Sequence, residues 1–238
     1  MKIDILAIGV HPDDVELGCS GTIAKHIALG KKVGILDLTL GELGTRGNAE
    51  LRTKEANASA QILGVSFRTQ LKFKDAFFVN DEIHIKQIIE IIRKHKPELI
   101  LCNAVNDRHP DHGKAAKLTS DACFYSGLIK IETMHEGNKQ EAWRPKAVYH
   151  YIQDYYIHPD FVIDITNFID IKHNSIMAFA SQFYNPNSEE PETPISSKHF
   201  LENVNSKMAI WGRAIGARYA EGFTVNRYPG VNNLFDLL

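Results

Sequence analysis

Along the first half of the chain, short apolar blocks alternate with stretches whose apolar positions recur at helical spacing. Lys2 to Val10 alternates and then runs apolar, the pattern of a buried strand. From Gly18 to Leu29, Ile23, Ile27 and the Ala24/Ala28 pair take helical spacing, and Gly30 stands where a helix closes in the left-handed conformation. Val33 to Leu40 predicts a second strand, and Glu50 to Leu63 an Ala-rich helix closed by Gly64. Phe67 to Val79 reads as one or two short strands. Ile83 to His95 carries Ile85, Ile88, Ile89 and Ile92 on one stripe, and Pro97 ends it. Glu98 to Asn103 is again strand-like, and Gly113 to Tyr125 helical. Strand and helix alternate four times, which predicts an α/β fold: a Rossmann-like, mostly parallel sheet with helices on both faces.

The second half is less regular. Lys146 to Ile152 and Phe161 to Ile165 read as strands, and Phe168 to Phe183 and Lys198 to Tyr219 as helices. Between those helices, Tyr184 to Ser197 holds Pro186, Pro191 and Pro194 and predicts a loop or lid. No repeat or Gly/Ser/Pro-rich linker divides the chain, so residues 1–238 are expected to form a single domain.

Composition narrows the function. Of 238 residues, 44% are hydrophobic and 24% charged, an ordinary globular balance. Lys and Arg number 27 against 29 Asp and Glu, so no basic excess is available for a phosphate backbone, and nucleic acid is not an expected partner. No apolar run reaches the ~18 residues of a membrane helix, and the first residues do not resemble a signal peptide. Cys19, Cys102 and Cys123 are odd in number and widely spaced, which fits a reducing, cytoplasmic setting without disulfides.

Ligands of open parallel sheets bind beyond the carboxyl ends of the strands. Three polar segments fall there: His11-Pro12-Asp13-Asp14-Val15-Glu16, Asn106-Asp107-Arg108-His109-Pro110-Asp111-His112, and the glycine-rich Gly41 to Gly47. The first two gather imidazoles and carboxylates around a stiffening proline. Together they can supply the His and carboxylate ligands of an open zinc-type site, with a spare carboxylate as general base. Taken singly, each segment also reads as turn chemistry, with Asp capping a helix and Pro setting φ. Glu42 and Arg46 read as loop-fixing charges or sugar contacts, and Arg108 as a substrate contact or a solvated loop arginine.

The pairing of His11-Pro12-Asp13-Asp14-Val15-Glu16 with His109-Pro110-Asp111-His112 resembles the PIG-L/LmbE-like family of zinc-dependent N-acetylglucosamine deacetylases. Thr39 to Gly47, with Arg52, Glu55 and Ala56, is similar to its bacillithiol-biosynthesis branch, which acts on N-acetylglucosaminyl malate. The likeness is strong over residues 3 to 125. It continues weakly through Ser181-Gln182-Phe183 and Gly216 to Phe223.

The resemblance implies His11, Asp14 and His112 as metal ligands and Asp13 as general base. It implies His109, kept charged by Asp111, as the group that stabilises the oxyanion or protonates the leaving amine. Arg52 is implied as a substrate contact. Arg52 and Arg108 become the candidates for the malate carboxylates, since guanidinium matches carboxylate bidentately. The metal implied is zinc, with iron an ion that also suits these ligands. The partners implied are a small amino-sugar substrate and further copies of the chain, for which the family points to a hexamer.

Other classes predict different sequences. A dinucleotide-binding protein needs a glycine loop after the first strand, where His11-Pro12-Asp13-Asp14 stands instead. A structural metal module needs a fourth Cys or His, which neither segment offers.

Overall fold

The structure is a computed structural model that describes residues 1–237; Leu238, the last residue of the expected domain, lies outside the described residues. The first half alternates as its pattern predicts: β1 (Ile5–Gly9), α1 (Asp14–Ala28), β2 (Val33–Thr39), α2 (Ala49–Leu63), β3 (Phe67–Phe73), α3 (Glu82–His95), β4 (Leu99–Cys102) and α4 (Pro110–Tyr125). A small hairpin of β5 (Met134–His135) and β6 (Asn138–Lys139) follows. After it come β7 (Ala147–Tyr151), β8 (Phe161–Asp164), α5 (Ile169–Met177), α6 (Lys198–Ala214) and β9 (Ala220–Val225).

Seven strands form one sheet in the order β3-β2-β1-β4-β7-β9-β8. From β3 through β7 the pairings are parallel, whereas β9 runs antiparallel to both β7 and β8. The pleat of β1 divides its side chains between two cores. Leu6 and Ile8 pack with Ile88, Ile89 and Ile92 of α3 and Leu118 of α4. Ile5 and Ala7 face the other way, onto Val15, Cys19 and Ile23 of α1, Leu63 of α2 and Phe223 of β9. With both faces covered, every residue of β1 and β2 is buried.

Three stretches differ from their sequence pattern. Only Phe67–Phe73 of the segment 67–79 is strand, and the remainder turns at Ala76 (φ 60°) to bring Asp75 to the sheet edge. The helix expected to reach Phe183 ends at Met177, because Phe179 and Phe183 turn in against Ala56 and Ile176. The helix expected to reach Tyr219 ends at Ala214, where Gly216 (φ 72°) reverses the chain. The returning backbone crosses so near the helix that a Cβ on Gly212 would lie 2.6 Å from Tyr219 N. That reversal makes β9, a strand the pattern did not predict.

The chain runs outward from β1 to β2 and β3, then crosses back to β4 on the other side of β1. Ends of β1 and β4 therefore border the crevice where strand order reverses, the position at which open α/β sheets bind ligands. Cys19, Cys102 and Cys123 are buried and free.

Candidate active site

A cleft of about 650 Å³ opens at that crevice, and His11, Asp13, Asp14, Arg52, Arg108, His109 and His112 all border it. Its far wall is α6, with residues of the 184–197 loop beside it. Asp111 lies just beneath, 1% exposed.

The turn after β1 is strained. Asp13 takes φ 121°, a region non-glycine residues avoid, and caps no backbone N–H of α1. Its carboxylate instead accepts from Arg52 Nη2 at 3.0 Å. Arg52 reaches it from α2 and also donates to Pro12 O at 2.6 Å and Gly41 O at 3.2 Å. Gly41 is required for this approach, since a Cβ there would lie 2.0 Å from Arg52 Nη1. Burial pushes the Asp13 carboxyl up to about 7, although the Arg52 guanidinium pulls it down. A carboxylate poised near neutrality suits a general base.

Asp14 lies between His11 and His112, one carboxylate oxygen toward each ring. Asp14 Oδ2 lies 3.7 Å from His11 Nδ1, and its Oδ1 lies 3.2 Å from His112 Nε2. The outward nitrogen of each imidazole is held by a second carboxylate. His11 Nε2 meets Asp75 Oδ1 at 3.0 Å, and His112 Nδ1 meets Asp107. Burial lowers both imidazole pKa values, but the carboxylates outweigh it: Asp111 and Asp75 push His11 up to about 9, and Asp14 and Asp107 push His112 up to about 10. Burial disfavours ionised Asp14, yet His112 and His11 hold its carboxyl well below the usual range. An ion bound here would displace a proton from each ring, since the neutral imidazole is the ligating form, and the carboxylates behind the rings would orient them. Asp14 is aimed by Asn103 and Gln153, whose side-chain amides each donate to it at 2.9 Å.

His109 completes a cluster with His11 and His112, ligand nitrogens all within 4.8 Å of one another. It caps α4, and its Nδ1 accepts the Asp111 N–H at 3.3 Å. The Asp111 carboxylate turns elsewhere, to Ala76 N at 3.0 Å, Lys114 Nζ at 2.6 Å and His11 Nε2 at 3.7 Å. Burial and the charges of His11 and His112 lower the His109 pKa. The expected charged His109–Asp111 pair is therefore absent from this structure. His109 faces the cleft, and because its Nδ1 accepts a hydrogen bond, Nε2 is the nitrogen left to carry the ring proton.

One further expectation is corrected, and one left open is decided. Arg52 is 4% exposed and directed at Asp13 and loop carbonyls, so its guanidinium is not free for a malate carboxylate. Glu42 and Arg46 fix loops: Glu42 accepts from Asp75 N at 2.8 Å, and Arg46 holds Phe183 O, Ser188 and Glu190. Arg108 is at the cleft mouth, paired with Asp154.

Sequence reasoning missed Asp75, Asp107, Asn103 and Gln153. Asp107 had a signal, an acid five residues before His112 in the same polar loop; Asp75 and Gln153 had none, since only the fold brings them near.

Residues 6–123, which hold both His/Asp segments, match the PIG-L family, described as GlcNAc-PI de-N-acetylase. This chain belongs to the PIG-L family. A diacetylchitobiose deacetylase of Thermococcus kodakarensis is 29% identical over 95% of this chain and 84% of its own length. A probable N-acetyl-α-D-glucosaminyl L-malate deacetylase of Bacillus subtilis is 28% identical, over 89% of this chain and 94% of its own. Among solved structures, a conserved protein of Thermus thermophilus superposes with a TM-score of 0.85 and 32% identity, covering 97% of this PIG-L chain and 98% of its own.

Proposed function

We propose that this PIG-L chain is a metal-dependent N-deacetylase of N-acetylglucosaminides, with N-acetylglucosaminyl malate as its substrate. The observation that carries the reading is Asp13, a strained and buried carboxylate lining the cleft next to Asp14, which faces both His11 and His112. The donor set suits zinc or iron, with His11, Asp14 and His112 holding the ion. A cation there would polarise the acetyl carbonyl and lower the pKa of a bound water.

Asp13 accepts the proton of the attacking water as the oxygen adds to the acetyl carbon. His109, with its proton on Nε2, donates a hydrogen bond to the charge that develops on the carbonyl oxygen. Asp13 then returns the proton to the nitrogen as the C–N bond breaks, so water adds across the amide and acetate and a free amine leave. Arg52 keeps Asp13 ionised and aligned between turnovers. The malate assignment is supported by the match to the Bacillus protein along nearly its whole length and by Arg108 at the cleft mouth, where a substrate carboxylate can replace Asp154.

Acetate release from N-acetylglucosaminyl malate, diacetylchitobiose and free N-acetylglucosamine, with and without chelator, tests the proposal. The malate conjugate should react fastest, and chelator should abolish release from all three. Equal rates on all three would remove the malate assignment and leave the deacetylase; no acetate from any would remove both.

A further inference from the structure

Malate has two carboxylates, and with Arg52 turned inward the cleft mouth offers Arg108 alone from the pair expected. A second cation comes from an element that carried no motif. Lys207 sits on the face of α6 that walls the cleft. Its Nζ donates to the backbone carbonyl of Gln153 and lies over the Trp211 ring, 5.7 Å from the centroid. No carboxylate among the described residues lies within 4.0 Å of it, whereas Arg52 is paired with Asp13 and Arg108 with Asp154. Burial pulls the Lys207 ammonium down to about 8 against the nearby charges of Asp154 and Asp107, as befits a cation short of a counter-ion. Gln153, its acceptor, also holds Asp14, so the ammonium stands next to the proposed reaction centre.

We infer that Lys207 is a specificity-determining residue that receives a carboxylate on the group attached to the sugar. Lysine suits this place because a compact ammonium can leave its carbonyl acceptor for a carboxylate without the fixed geometry a guanidinium demands. Tyr156, exposed and stacked on Trp211 at 6.1 Å, forms the neighbouring wall against which the bridging atoms of such a group can lie. The inference rests on the deacetylase reading, and its test separates the two.

Steady-state kinetics of Lys207→Met and Lys207→Arg are compared with wild type on N-acetylglucosaminyl malate and on neutral methyl N-acetylglucosaminide. Lys207→Met should raise KM for the malate conjugate about ten- to a hundredfold with kcat nearly unchanged, and leave the methyl glycoside within about threefold. Lys207→Arg should recover most of the loss. Equal losses on both substrates would show that Lys207 only supports Gln153, and an unchanged KM for the conjugate would show that it meets no carboxylate; either result overturns the inference. A wild type that deacetylates the methyl glycoside but shows no preference for the conjugate would overturn it while the deacetylase stands. A wild type inactive on both would overturn the two together.

Discussion

Asp13 and Asp14 are neighbours in sequence with opposite chemistry, and their surroundings decide it. Asp14 accepts three amide N–H groups, from His11, Asn103 and Gln153, and faces two imidazoles, so it stays ionised; Asp13 meets one guanidinium in a buried, strained turn and is held near neutrality. Asp13→Asn should therefore retain the metal and lose turnover by about 10²–10⁴-fold. Metal content by elemental analysis and acetate release check this together, and joint loss of both would exchange the roles of the two aspartates. Arg52 lowers the Asp13 pKa, so its removal has a defined sign. Activity requires the carboxylate and falls as pH drops through that pKa. In Arg52→Met the acidic limb of kcat/KM should move to higher pH, and an unmoved limb would show that Arg52 serves only the loop.

Helix α1, which presents both aspartates, is two helical pieces joined at Cys19 (φ −150°, ψ 16°). Such a break leaves carbonyls unpaired at the end of the first piece and N–H groups unpaired at the start of the second. Lys172 of α5 donates to Glu16 O at 2.9 Å and Leu17 O at 2.8 Å, while Glu221 of β9 accepts from Gly21 N at 3.0 Å and Thr22 N at 2.6 Å. The cation is thus at a helix C-terminus and the anion at an N-terminus, each where the peptide dipoles favour it. Lys172 and Glu221 also pair directly at 2.7 Å, side chains 0% and 2% exposed. Glu16 anchors the first piece from the other side, accepting from Arg68 and Ser59, each at 2.6 Å. Removing one partner leaves a buried charge and broken caps, so Lys172→Met should destabilise the fold by about 3–5 kcal/mol in chemical denaturation. A change under about 1 kcal/mol would show that the two pieces of α1 hold their bend unaided.

Carboxylates from the turns after β1, β3 and β4 crowd one crevice, and a bound cation would offset the repulsion among them. Ligands that bind only the folded state add to its stability, by about 2.7 kcal/mol at a hundredfold excess over Kd. For a chain of this size, chelation should lower Tm by roughly 5–10 °C, with recovery on adding zinc. His11→Ala should have a lower Tm that no longer responds to either. An identical response in wild type and variant would place the ion elsewhere. No helix of the described residues is long and apolar enough to cross a membrane.

Alternation of apolar blocks and the His-Pro-Asp motifs, read along the chain, determined the parallel α/β core, the sheet edge that carries the chemistry and the family. Those features are local: strand and helix periodicity lies within each segment, and the rule that ligands sit beyond strand ends turns chain order into position. Tertiary structure decided the rest. Whether Arg52 points to substrate or to Asp13 depends on Gly41 lying against it, and whether Asp111 serves His109 depends on Lys114 and Ala76 N competing for its oxygens. Asp75, Gln153 and Lys207 gain their meaning from strands and helices far away in sequence. Even β9, antiparallel in a parallel sheet, forms because Gly216 turns the chain back after α6. Such contacts depend on the packing of distant segments, which no local pattern of residues encodes.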